Sequence, residues 1–138
     1  MTDAIKDLIK AQKQTAPLIK NAVNPHFRNR YADLGAVLEA SLDPFHSNNF
    51  AVTQYSGADE QGQYVATCLT HTSGEKFESK VYLVLSKQDM QGLGSAITYA
   101  RRYGLLGMAG LAAEDDDGNA AVKSGPAPVK QFVKDAGF

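Results

Sequence analysis

The chain predicts an α+β domain: a three-stranded antiparallel β-meander packed by a long C-terminal helix, a β-β-β-α core, with helices ahead of it at the N-terminus. Three observations predict it. Two stretches before residue 46 space their apolar residues as helices do, and three strand-like runs follow between residues 50 and 85, the third with the clearest alternation of apolar and polar side chains. A long apolar segment over residues 90–111 then returns to helical spacing. A three-stranded sheet needs cover on at least one face, and that last helix is the natural lid.

Taken in order, residues 3–15 suit a helix with Thr2 as N-cap and Ile5, Leu8 and Ile9 as its apolar side, while Lys6, Lys10 and Lys13 line another. Pro17 has no amide hydrogen and ends or kinks it. Residues 17–31 read as extended, because Asn24 precedes Pro25 and is pushed from the α region. Asp33 caps a second helix that carries Leu34, Val37, Leu38, Leu42 and Phe45, its last turn bent by Pro44. The first strand covers 50–55. In the second, 63–71, Val65 and Leu69 face one way while Tyr64, Ala66 and Cys68 face the other. In the third, Phe77, Val81, Leu83 and Leu85 alternate with Lys76, Glu78, Lys80 and Tyr82. Gly57, Gly62 and Thr72-Ser73-Gly74 mark the turns, and Asp89 caps the long helix. After Gly118 the sequence loosens into Lys-Ser-Gly-Pro-Ala-Pro. The expected division is a domain over 1–117 and a flexible linker with a short tail over 118–138.

The bulk numbers exclude several classes. Apolar content of 43% and charged content of 21% are ordinary for a globular protein. The single cysteine, Cys68, rules out an internal disulfide and zinc-type clusters. The N-terminus lacks the apolar run of a signal peptide and no stretch is long enough to span a bilayer, so the expectation is a cytoplasmic protein. Net charge is −1, yet residues 1–30 sum to +4 and Glu114–Asp117 to −4. Such segregation serves to steer a polyanion or to join copies of the chain. Consecutive carboxylates point in different directions, and His26, His46 and His71 lack metal-like spacing. No metal is expected, and a metal-dependent nuclease is the weakest reading. Gly92 and Gly94 are not followed by Gly-Lys-Ser/Thr, so neither ATP use nor another cofactor is expected.

The long helix is the most informative segment. At about 100° per residue, Leu93, Ile97, Ala100, Gly104, Met108 and Leu111 form a core stripe. Ser95, Tyr99, Arg102 and Leu106 lie opposite, with Thr98 and Leu105 beside them. Two leucines and a tyrosine do not suit a solvated back face, so this side is expected to meet another subunit, a ligand, or both. Arg101 and Arg102 stand between Tyr99 and Tyr103. Guanidiniums take phosphates and phenols stack on bases, which makes a surface for single-stranded nucleic acid. A buried helix with its arginines paired to acids is the plainer alternative.

Three stretches carry a family resemblance: Asn24-Pro-His-Phe-Arg-Asn-Arg-Tyr-Ala-Asp-Leu34, Leu69-Thr-His-Thr-Ser-Gly74 and Gly94-Ser-Ala-Ile-Thr-Tyr-Ala-Arg-Arg-Tyr103, closed by Glu-Asp-Asp-Asp-Gly-Asn. In order and spacing the chain resembles the ERF (essential recombination function) single-strand annealing proteins of phages and prophages. The resemblance implies a fold similar to RecT-type, Red-like and ring-forming eukaryotic annealing proteins. It also implies a DNA recombination protein that binds single-stranded DNA and anneals complementary strands without hydrolysing a nucleotide, hence not an enzyme. The implied partners are single-stranded DNA, the annealed duplex intermediate and further copies of the chain in a ring or helical filament. Apart from the resemblance, the short apolar C-terminal tail leaves two readings open: it docks on a host replication or repair protein, or it has no partner. No membrane is implied, and the location is the bacterial host cytoplasm. In the relatives a basic pair on the helix after the meander faces a DNA groove, and here that position matches Arg101-Arg102. The two point about 100° apart, so Arg102, opposite the core stripe, is taken as the phosphate contact. Arg101 is equally suited to brace Glu39, Asp43 or another acid. The remaining expected DNA contacts are Tyr99 and Tyr103 by stacking, Arg28 and Arg30 on an arm anchored by Phe27 and Tyr31, and Lys76 and Lys80 as a groove wall. Leu105 and Leu106 are the expected oligomerisation contacts. The alternative is an oligomeric assembly or adaptor protein whose helix back face (Tyr99, Leu105, Leu106) touches only protein.

Overall fold

The structure, a computed structural model, describes residues 2–21 and 33–112. The first helix, α1 (Asp3–Asn21), starts where Thr2 accepts a 3.3 Å hydrogen bond from the Ile5 amide. It runs beyond its expected end, straight through Pro17. Its buried stripe is Ala4, Ala11, Thr15 and Ile19, whereas Pro17 and Ile9 face solvent. The proline ring therefore disturbs no tertiary packing, and burial of Ile19 two residues later offsets the lost hydrogen bond and the ring's clash with the preceding turn. The extended reading of residues 17–21 is corrected accordingly; residues 22–31 lie outside the described residues.

In α2 (Leu34–Ser47), the Asp33 carboxylate accepts from the Ala36 amide at 2.9 Å, the expected N-cap. Val37 and Phe45 are buried, and so is Pro44, inside the last turn. Asn48 closes the helix by donating its side-chain amide to the Pro44 carbonyl at 2.7 Å. Asn49, at φ 73°, turns the chain into the sheet; asparagine is among the few residues that accept this region.

The sheet runs β1 (Phe50–Asp59), β2 (Gly62–His71) and β3 (Lys76–Tyr82), antiparallel and in that order. Gly57 does not turn the chain. A Cβ there would sit 2.5 Å from the Tyr64 hydroxyl, so β1 continues through a residue whose missing side chain makes room for a cross-strand ring. The turn falls at Glu60-Gln61 instead, before Gly62 at φ 132°. β3 ends at Tyr82, short of Leu83 and Leu85, although the Leu83 amide still donates to the Gln63 carbonyl of β2 at 2.9 Å.

Pairing and alternation sort the side chains into two faces. Phe50, Val52, Gln54, Val65, Thr67, Leu69, His71, Phe77 and Val81 share one. All three helices pack on it. Ala4 and Ala11 of α1 and Phe45 of α2 cluster with Phe50 and Leu69. The last helix, α3 (Met90–Met108), begins at the Asp89 cap, which accepts from the Gly92 amide at 2.7 Å. It presses on β2 at Gly104, where a Cβ would come within 2.2 Å of the Thr67 hydroxyl. A second cluster, Ile19, Val37, Leu105, Leu106 and Ala109, fills the junction of the three helices. The other sheet face has no helix over it among the described residues.

Candidate nucleic-acid interface

The α3 segment that carries the arginine pair between two tyrosines divides into a shielded part and an open part. Tyr99 and Tyr103, one turn apart, are 48% and 37% exposed, with ring centroids 6.1 Å apart. Arg102, between them in sequence, is only 3% exposed. Its guanidinium carbon lies 5.8 Å from the centre of the Tyr103 ring, within cation–π range. Placing Arg102 outward, opposite the core stripe, is thus corrected: over its last two turns α3 is enclosed on nearly all sides. The same enclosure corrects Leu105 and Leu106. Both sit in the chain's own core beside Ile19 and Val37, not on an oligomerisation surface. The second side of the helix does meet something, and that something is α1 and α2.

Arg101 is half-buried and held by the sheet. Its Nε donates to Gln54 Oε1 at 2.9 Å, while Gln54 Nε2 donates to the Arg101 carbonyl and to the Thr67 hydroxyl, each at 2.9 Å. The brace expected from Glu39 or Asp43 is therefore an amide. Those two acids instead rim a groove between α1 and α2 floored by Leu18, Ala36, Ala40 and Pro44, where a phosphate would be repelled.

On the helix-free face of the sheet the structure gathers Tyr55, Tyr64 and Tyr82 around Lys80, while the other expected lysine, Lys76, shares the face at its far end, opposite Thr70. The Tyr55 hydroxyl donates to Glu78, and Tyr82 donates to Asp59 at 2.7 Å. Lys80 reaches the same Asp59 oxygen at 3.3 Å and stands 4.5 Å from the centre of the Tyr64 ring. Tyr64 and Tyr82 meet edge to face, 5.8 Å between centroids. Donation to Glu78 pushes the Tyr55 hydroxyl up to about 12, and hydrogen bonding to Tyr82 holds the Asp59 carboxyl below its ordinary value. Alternation alone placed Tyr64 and Tyr82 on this side. Tyr55 was missed because its place in the group depends on strand register.

These surfaces lie within a segment of known kind: the family model of the ERF superfamily matches residues 4–132. The chain belongs to the ERF superfamily. Membership carries a general role in phage-type recombination and strand annealing. No curated protein and no solved structure matches this ERF chain. Arg28 and Arg30, with their anchors Phe27 and Tyr31, lie outside the described residues, as do Glu114–Asp117 and the 118–138 linker and tail. No described helix of the ERF chain is long and apolar enough to cross a membrane.

Proposed function

We propose that this ERF-superfamily chain binds single-stranded DNA and anneals complementary strands without ATP, working as a homo-oligomeric ring or filament. The observation that carries the proposal is the open Tyr99–Tyr103 pair, set on a helix that is otherwise closing into the core. Exposed phenols one turn apart offer ring faces to bases, and stacking accepts every base because each has a π-face. An annealing protein needs that tolerance. Arg102 serves by fixing the Tyr103 ring, while neutralisation of phosphates beside the α3 tyrosines falls to Arg28 and Arg30. The free energy of pairing comes from the nucleic acid, so no nucleotide need be hydrolysed.

The order β1-β2-β3-α3 supports kinship with RecT-type and Red-like annealing proteins. Subunits side by side would extend one DNA track from copy to copy, with the annealed duplex as the intermediate released. The 118–138 tail is assigned to a host replication or repair protein, and the site of action to the bacterial cytoplasm.

Complementary labelled oligonucleotides mixed in buffer lacking ATP test this directly. The wild-type chain should speed annealing, and affinity should fall steeply with salt as counterions are released. The double substitution Tyr99→Ala/Tyr103→Ala should weaken single-strand binding by about 1–3 kcal/mol per stacked base. A folded wild-type chain that anneals no faster than the spontaneous rate rejects the proposal.

A further inference from the structure

We infer that the helix-free face of the sheet is a second single-strand contact, on which Tyr55 and Tyr82 stack on unpaired bases. This rests on the single-strand reading above. The chemistry of the face selects the occupant. Its side chains are Ala51, Thr53, Asp59, Ala66, Cys68, Thr70, Glu78, two lysines and three tyrosines, with no leucine, isoleucine, valine, methionine or phenylalanine among them. The face thus offers ring surfaces and no aliphatic side chain larger than alanine. Stacking of bases on such rings is the sequence-tolerant part of single-strand binding.

The rings are also held ready. Tyr55 starts on β1 and ends on Glu78 of β3, while Tyr82 starts on β3 and ends on Asp59 of β1. They cross the middle strand in opposite directions, where Ala66 stands beside Tyr55 and Gly62 beside Asp59, and neither has bulk to lift a ring. Tyr64 is the brace: it lies over Gly57, meets Tyr82 edge-on and carries the Lys80 ammonium. Tyr55 remains 46% exposed and Tyr82 37%. With hydroxyls tied, little rotamer freedom is left to lose on stacking. Both carboxylates already accept hydrogen bonds and two lysines balance them, so the face does not repel a strand. Duplex DNA hides its base faces and gains nothing here.

Polarisation of a fluorescein-labelled oligothymidine, alongside an abasic strand of equal length, tests the inference on the full chain. Tyr55→Leu and Tyr82→Leu should each weaken oligothymidine binding by about fivefold to a hundredfold. The salt slope should stay as it was, and the preference over the abasic strand should shrink; Tyr82→Phe should retain that preference. Equal binding by folded variants, or equal loss toward both strands, overturns the inference and leaves the annealing proposal standing. A change in sedimenting mass with DNA affinity intact makes the face a contact between copies, and also overturns it. No binding by the wild type sinks both. Should the leucine variants unfold, photocrosslinking of a bromodeoxyuridine strand to the wild type decides: adducts at Tyr55 or Tyr82 support the inference, and adducts only elsewhere reject it.

Discussion

Asp7 shows how much one side chain can join. It accepts from His71 Nε2 at 2.7 Å and from Asn49 Nδ2 at 3.1 Å, so one carboxylate ties α1 to the start of the sheet and to the β2–β3 turn. His71 is buried edge-on against Phe50, and its Nδ1 lies 2.9 Å from the Ser73 hydroxyl. The hydrogen bond from His71, then that from Asn49, holds the Asp7 carboxyl below its ordinary 3.8. A carboxyl depressed by folding contributes stability above its unfolded pKa and loses it as pH falls through the folded value. Wild type should therefore exceed Asp7→Asn in urea midpoint at about pH 5, and the gap should narrow toward about pH 2. A gap constant across that range would mean that the carboxylate's charge is idle. None of this was legible beforehand. Asp7 and His71 are far apart in sequence, and neither residue's periodicity announces a partner.

At the scale of elements, periodicity located every helix and strand among the described residues, and it failed where a neighbour decided. Gly57 reads as a turn by composition, yet it is a strand residue because Tyr64 occupies its side-chain space. Pro17 reads as a stop, yet burial of Ile19 carries α1 past it. For α3 the core stripe was readable, but the burial of Arg102, Leu105 and Leu106 depends on where α1 and α2 lie. Gly104 marks the closest approach of α3 to the sheet. In an isolated helix, Gly104→Ala would gain roughly 0.5–1 kcal/mol. Here the new methyl would meet the buried, β-branched Thr67, which has no room to swing, and overpacking costs about 1–3 kcal/mol. The clash should win: chemical denaturation should show net destabilisation, and a more stable variant would show that α3 can slide.

For the molecule as a whole, the sheet separates two chemistries. Apolar contacts and the three described helices are gathered on one side, and Tyr55, Tyr64 and Tyr82 with balanced charges on the other. The leucines of α3 belong to the first. Leu106→Asp, which would split an oligomer if that residue lay between subunits, should instead unfold the chain. A buried, unpaired carboxylate together with a lost leucine costs several kcal/mol, a large share of a domain's stability. Loss of the cooperative transition in circular dichroism is the expected result. A folded monomer of normal stability would return Leu106 to a subunit contact. Among the DNA contacts expected from sequence, those on α3 and β3 can be compared with the structure. Tyr99 and Tyr103 are exposed, Lys76 and Lys80 lie on the helix-free face, Arg101 is held by Gln54 and Arg102 is buried.

Gln54 leaves one instruction for anyone who edits this chain. Its oxygen faces a donor, the Arg101 side chain, and its nitrogen faces two acceptors, the Arg101 carbonyl and the Thr67 hydroxyl. Glutamate is the same size and looks like the better mate for arginine. Yet Gln54→Glu would aim a second anionic oxygen at a carbonyl oxygen that must be met by hydrogen. The gain at one end is undone at the other, and thermal melts should rank the variant below wild type at neutral pH, with partial recovery once the new acid is protonated.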